Sequence, residues 1–154
     1  MKVIVREFVD LNLEGELRGF VYKKQLTALS QYYCDLYIPF LKKNEKEISM
    51  KIQQFFNENI KNVVKEENYV IDFVINKEKS VWDIKIVELN PFSQSTGSCL
   101  FDWKKDFDLI HSSHPSLSFQ FRTCEKEVSK KAKHLIIPWY HLVESAFEEI
   151  NKKK

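Results

Sequence analysis

Three side chains able to ligate a hard cation lie within one stretch, residues 69–103: Asp72, Glu88 and Asn90. Two carboxylates and an amide carbonyl are the kind of oxygen donors that magnesium and calcium accept. They sit on two runs, 69–75 and 81–89, rich in the β-branched and aromatic residues that strands favour. The polar residues 76–80 between them predict a solvent-facing connection. Strict alternation along the second strand puts Trp82, Ile84, Ile86, Glu88 and Asn90 on one face. Two hydrogen-bonding groups then end an otherwise apolar face, and a carboxylate there needs a cationic partner because burying an unpaired charge is expensive. Pro91 removes a backbone donor and stops the strand. A hydroxyl-rich loop, 93–98, follows with Gly97 inside it.

Register decides whether these groups can meet. A turn centred on 77–79 would set Asp72 opposite Ile84 and leave Glu88 about 13 Å away, at roughly 3.3 Å per residue. That is too far for one ion. A tip near Ser80 sets Asp72 opposite Glu88, at the roughly 5 Å of a cross-strand pair. A shared cation therefore predicts a long loop centred on Ser80, with 81–83 partly outside the ladder.

The elements that must position these residues read as follows. Residues 3–9 predict a strand, and 16–23 and 26–33 predict two more, joined at 23–25. In the first of that pair Leu17, Gly19 and Val21 share one face, and Arg18, Phe20 and Tyr22 the other. Residues 45–67 predict a long helix, with Ile48, Ile52, Phe55, Phe56, Ile60, Val63 and Val64 forming its apolar stripe. Residues 118–123 alternate as a further strand carrying Arg122 beside Phe121. Pro138 opens a terminal helix striped by Trp139, Val143, Ala146, Phe147 and Ile150. His111, His114 and Cys124 fall short of the four well-spaced ligands of a zinc site. The class is α+β, a mainly antiparallel sheet packed by a long amphipathic helix and a C-terminal helix.

At 154 residues the length prior is a single domain, 1–154. The 44% hydrophobic and 14% aromatic content fits a globular chain. A net charge of +2 gives a nucleic-acid partner no electrostatic support. Cys34, Cys99 and Cys124 form no CxxC pattern and predict reduced thiols in a cytoplasmic protein. Apolar runs fall short of the roughly 18–20 residues a membrane span needs, and no signal peptide opens the chain. With 3 glycines there is no glycine-rich phosphate loop.

Six ordered blocks resemble the cell division cycle protein 123 family: Arg6-Glu7-Phe8-Val9, Glu16-Leu17-Arg18-Gly19-Phe20-Val21, Leu29-Ser30-Gln31-Tyr32-Tyr33, Tyr69-Val70-Ile71-Asp72, Glu88-Leu89-Asn90-Pro91-Phe92 and Leu100-Phe101-Asp102-Trp103. Phe121-Arg122 and Pro138 also fall where the family has an arginine-bearing strand and a terminal segment. The resemblance implies an ATP-grasp-like large lobe, with ATP and Mg2+ held between two lobes. It also implies a chaperone role in assembling translation initiation factor 2 through its gamma subunit. By position, Asp72, Glu88 and Asn90 match the family's magnesium ligands, and Arg18 matches its phosphate-facing arginine. Arg6, Glu7, Phe8 and Val9 match the segment that meets the adenine. Family members run longer than this chain, so the resemblance implies that the N-terminal lobe, with the lysines that reach the phosphates, is absent from it. Asp72 and Glu88 are also farther apart in sequence than is usual, and Glu88 stands where aspartate is commoner.

Three functions follow: an ATP/Mg-binding assembly chaperone, a non-catalytic protein-interaction module with a degenerate ATP-grasp lobe, and an ATP-grasp carboxylate–amine ligase. The first and third need the same trio and Arg18. The ligase also needs a substrate-side base, for which the sequence offers no candidate, so a classical enzyme is the weaker expectation.

Overall fold

The computed structural model describes residues 13–112 and 118–126. The strand expected at 3–9 with Arg6, Glu7, Phe8 and Val9, residue His114, and the terminal helix after Pro138 lie outside the described residues. A short 3-10 turn, Leu13–Gly15, leads into β1 (Glu16–Tyr22) and β2 (Gln25–Gln31). Two helices, α1 (Pro39–Lys43) and α2 (Glu45–Asn59), precede the hairpin β3 (Tyr69–Glu78) and β4 (Val81–Pro91). One helical turn, α3 (Phe107–Ile110), and the short β5 (Gln120–Arg122) follow. The strands form one five-stranded sheet in the order β4-β3-β1-β2-β5, antiparallel except where β5 runs parallel to β2.

The alternation in β1 sorts the two sides of the sheet as its sequence predicts. Leu17 and Val21 join Ile71, Phe73 and Ile75 of β3 and Ile48, Ile52 and Phe56 of α2 in the larger core. Phe20, with Ala28 and Val70, joins Phe101, Leu109 and Ile110 in a smaller core on the opposite side. Fully burying each such side chain contributes about 1.5–3 kcal/mol, so α2 is held mainly by its stripe. Its N-terminal end is tied down as well: Glu47 accepts from Lys77 at 2.9 Å and from the Trp82 indole at 2.7 Å. Gly15 must be glycine, because a Cβ there would come within 1.9 Å of the Ile75 carbonyl oxygen.

Two expectations need correction. The helix expected over 45–67 ends at Asn59. The amides of Ile60 and Lys61 both turn onto the Phe56 carbonyl, at 3.0 and 2.9 Å, and Val63 is 75% exposed. Asn59, Asn62, Val63 and Val64 are weaker helix formers than the residues before them. Beyond Ile60 the chain turns: Val63 faces solvent, and Val64 reaches the core from outside the helix. The connection between β3 and β4 is also shorter than expected. The ladder runs to Glu78↔Val81, so Lys79 and Ser80 alone make the turn, and Val81, Trp82 and Asp83 are paired within the sheet. Lys79 takes the positive φ of 57° that such a turn demands.

Candidate functional site

Asp72 does stand opposite Glu88, although a tight turn would set it opposite Val87. The difference is a β-bulge. From Glu78↔Val81 to Phe73↔Ile86 the register is unbroken, and then it steps past Val87 to Asp72↔Glu88. An extra residue in one strand reverses the alternation beyond it. Trp82 and Ile84 pack against the α2 core, whereas the Asn90 amide reaches Asp72 on the other side. Trp82, Ile84, Ile86, Glu88 and Asn90 therefore do not share one face. The apolar residues and the polar pair belong to opposite sides of the sheet, so the carboxylate does not end an apolar face.

The side that receives Glu88 carries one polar residue on every strand, in register. Glu88 of β4 is opposite Asp72 of β3, Asp72 opposite Arg18 of β1, Arg18 opposite Ser30 of β2, and Ser30 opposite Arg122 of β5. Two acids, a base, a hydroxyl and a second base thus cross the sheet in one row. Arg18 donates from Nε to Asp72 Oδ1 at 2.8 Å and from Nη2 to Oδ2 at 2.7 Å. This is the two-pronged geometry that a guanidinium and a carboxylate share. Both are withdrawn from solvent, 7% and 1% exposed. The Tyr32 ring lies under the guanidinium at 4.8 Å. At the far end, Arg122 makes a second fork, from Nη1 and Nη2 onto Asp106 at 2.8 and 2.7 Å, and covers the Phe101 ring at 4.1 Å.

The chain after β4 is stitched along this row. Arg18 Nη1 donates to the Gly97 carbonyl at 2.8 Å, the Leu100 amide donates to Ser30 Oγ at 3.0 Å, and Arg122 Nη1 donates to the Leu100 carbonyl at 3.2 Å. Trp103 fixes the same loop by donating its indole N–H to the Thr96 carbonyl at 2.7 Å.

The acidic end is strained electrostatically. Burial pushes the Asp72 carboxyl above its ordinary value; the Arg18 bonds pull it back, and Glu88 adds to the rise. Burial would lower Arg18, but the hydrogen bonds and charge of Asp72 outweigh it, so the guanidinium is held firmly charged. Glu16, on the same side of β1, is also raised by burial, with a hydrogen bond from Tyr33 acting against it. Asn90 Nδ2 stands between Asp72 Oδ2 at 3.1 Å and Glu88 Oε1 at 3.0 Å. The positive end of an amide thus bridges two carboxylates. With the amide turned to present Oδ1, the same groups offer three hard oxygens, a donor set suited to magnesium. Among the described residues no group of three or more His, Cys, Asp and Glu side chains is placed to hold a metal ion. Among the described residues, a cation at this corner would therefore need Asn90 beside the two carboxylates.

Of the residues singled out in the sequence, Arg18, Asp72, Glu88 and Asn90 meet at one corner, and Arg122 stands in the same row. His111 lies elsewhere: its ring stacks on Phe107 at 3.9 Å and its Nδ1 pairs with the Phe107 carbonyl at 2.9 Å. Ser30, Tyr32, Glu16 and the neighbouring thiols of Cys34 and Cys99 were not signalled as site residues by spacing, because register and a loop bring them there.

A family model described as D123 matches residues 1–140. The chain is 32% identical over 104 residues to a translation initiation factor eIF2 assembly protein of Danio rerio, and 30% identical over 104 residues to that of Xenopus laevis. Each match covers 68% of this chain, but only 29% and 30% of the two relatives. Among solved structures, Cdc123 from Schizosaccharomyces pombe superposes with a TM-score of 0.61 at 24% identity. That superposition covers 75% of this chain and 44% of the other, and establishes likeness of fold.

Proposed function

The chain belongs to the D123 family, and from that premise we propose that it takes part in assembling translation initiation factor 2, using the Arg18–Asp72–Glu88–Asn90 corner to hold ATP with magnesium. The observation that carries the reading is the register. A bulge at Val87 brings Glu88 to Asp72 at the acidic end of a polar row, where Asn90 already fills the place between two carboxylates. Asp72, Glu88 and Asn90 would hold the magnesium ion. When bound, the ion neutralises phosphate charge. Arg18 has five N–H donors, of which the described contacts use three, on Asp72 and the Gly97 carbonyl. The remaining two are what it can offer a phosphate. The eIF2 gamma subunit is the partner that the resemblance implies, and an ATP-grasp-like lobe is the architecture.

Thermal unfolding of the full chain with and without Mg-ATP tests the nucleotide part. Ligand at 100 times its Kd adds about 2.7 kcal/mol to stability. Glu88→Gln, at an exposed position, should leave the basal Tm in place and remove the shift. No shift in the wild-type chain overturns the nucleotide reading. Co-purification with the eIF2 gamma subunit tests the partner, and failure to bind it overturns that part by itself.

One observation favours the second reading, a protein-interaction module that keeps the fold without nucleotide. The described contacts of Arg18 are internal, to Asp72, Gly97 and Tyr32, so the row already has a structural task in holding the 97–100 loop. Binding of the gamma subunit with no Mg-ATP shift would select this reading.

A further inference from the structure

Cys34 and Cys99 are 65 residues apart in sequence and side by side in the fold. The loop carrying Cys99 is held to the polar row on both sides, through the Gly97 carbonyl on Arg18 and the Leu100 amide on Ser30. Cys99 itself takes a left-handed backbone, φ 53°. The turn carrying Cys34 is held by buried Gln31, whose Nε2 donates to the carbonyls of Tyr33 and Leu36 and whose Oε1 accepts from the Cys124 amide at 3.0 Å. Cys34 donates to the Tyr32 carbonyl at 3.3 Å, and Tyr32 lies under the same Arg18. The two segments are thus anchored on one arginine, Cys34 lines the same groove as Leu100, the residue after Cys99, and the two thiols are close enough to shift each other's titration.

We propose that Cys34 and Cys99 form a reversible disulfide that closes the 97–100 loop onto the turn after β2, with a hydroperoxide as the oxidant. Cys34 reacts first, because it lines an open groove of about 700 Å³ together with Leu100, Arg122 and Cys124, and Cys99 is not part of that lining. Its thiol is also shifted down by Cys99, while Cys99 is shifted up by Cys34. The Cys34 thiolate attacks one peroxide oxygen, the O–O bond breaks and the leaving hydroxide takes up a proton, which gives a sulfenic acid and water. The Cys99 sulfur then attacks Cys34, the S–O bond breaks and a second water leaves with the Cys99 proton. Two thiols are oxidised and one peroxide is reduced. This link does not depend on what the corner binds.

Peptide mapping of the chain after hydrogen peroxide, with and without dithiothreitol, tests it. The expected product is a peptide pair joined through Cys34 and Cys99, lighter by two hydrogens and separated by dithiothreitol. It should form in Cys124→Ser and be absent in Cys34→Ser and Cys99→Ser. Closing so long a loop should also raise Tm by roughly 5–10 °C in the oxidised wild type. A Cys34–Cys124 link, a disulfide between two chains, or Cys34 carried on to sulfinic acid with Cys99 still reduced would each overturn the assignment.

Discussion

Arg18 and Asp72 face each other across β1 and β3 and are joined by two parallel hydrogen bonds, at 2.8 and 2.7 Å. Each is the other's main compensation for leaving water, so removing one leaves a buried charge without a counterion. Asp72→Ala should therefore cost about 3–5 kcal/mol of stability, read as a fall in the urea midpoint. The double replacement Arg18→Met with Asp72→Leu should recover most of that loss. A cost below about 1 kcal/mol for Asp72→Ala would show that the pair is not desolvated. This makes Asp72 a poor position for testing cation binding and exposed Glu88 a good one.

The bulge gives a second expectation. Val87 is the residue that the register passes over between Phe73↔Ile86 and Asp72↔Glu88. Deleting it should turn β4 into a regular strand and still leave Glu88 opposite Asp72. The Val87 deletion is thus expected to fold, to change stability by no more than about 1–2 kcal/mol, and to keep whatever Mg-ATP shift the wild type shows. Retained folding with complete loss of that shift would mean that the bulge itself aims Glu88.

At the other end of the row the pH dependence has a definite sign. The hydrogen bonds from Arg122 hold the Asp106 carboxyl below its ordinary value, against the opposing effect of burial. A depressed folded pKa means that the stabilisation is present above the unfolded pKa, near 3.9, and is lost as pH falls through the folded value. Asp106→Asn should lower stability at pH 7 by about 1–2 kcal/mol, allowing for the partial exposure of both partners. The wild-type and variant urea midpoints should converge in acid. A gap that persists at low pH would assign the effect to packing and not to charge.

What the sequence makes legible is whatever depends on local periodicity. The faces of β1, the stripe of α2 up to Ile60 and the strand around Arg122 all follow from alternation or helical spacing, and the structure has them there. An extra residue in a strand leaves no mark in such a pattern, so alternation alone puts Glu88 and Asn90 on the wrong face, although a shared cation requires Glu88 opposite Asp72, where the register has it. The helical spacing overruns the end of α2 for a related reason. Val63 and Val64 keep the spacing of the stripe, but Val63 is exposed and Val64 packs on the core from a turn outside the helix. Arg18 reads as an arginine beside aromatics, but its capture by Asp72 requires β1 and β3 to be neighbours, which only the sheet order shows. Cys34 and Cys99 meet through two loops, where no periodicity exists to read.

The β1–β2 turn offers a stabilising change. Lys23 and Lys24 both take left-handed conformations, φ 49° and 59°, as a two-residue hairpin turn of this hand requires. A side chain pays about 1–2 kcal/mol to sit there, and glycine does not. The turn cannot relax, because the Lys23 amide donates to Asn68 Oδ1 and the Lys24 amide to the Glu67 carbonyl, both at 2.8 Å. Glycine keeps that amide, so Lys24→Gly should lose no hydrogen bond. After glycine's greater freedom in the unfolded chain is set against the relief of strain, the net gain should be about 0.5–1 kcal/mol. Lys24→Ala, which keeps the Cβ, should gain nothing. A gain in the alanine variant equal to that in glycine would trace the effect to the removed charge instead of the backbone.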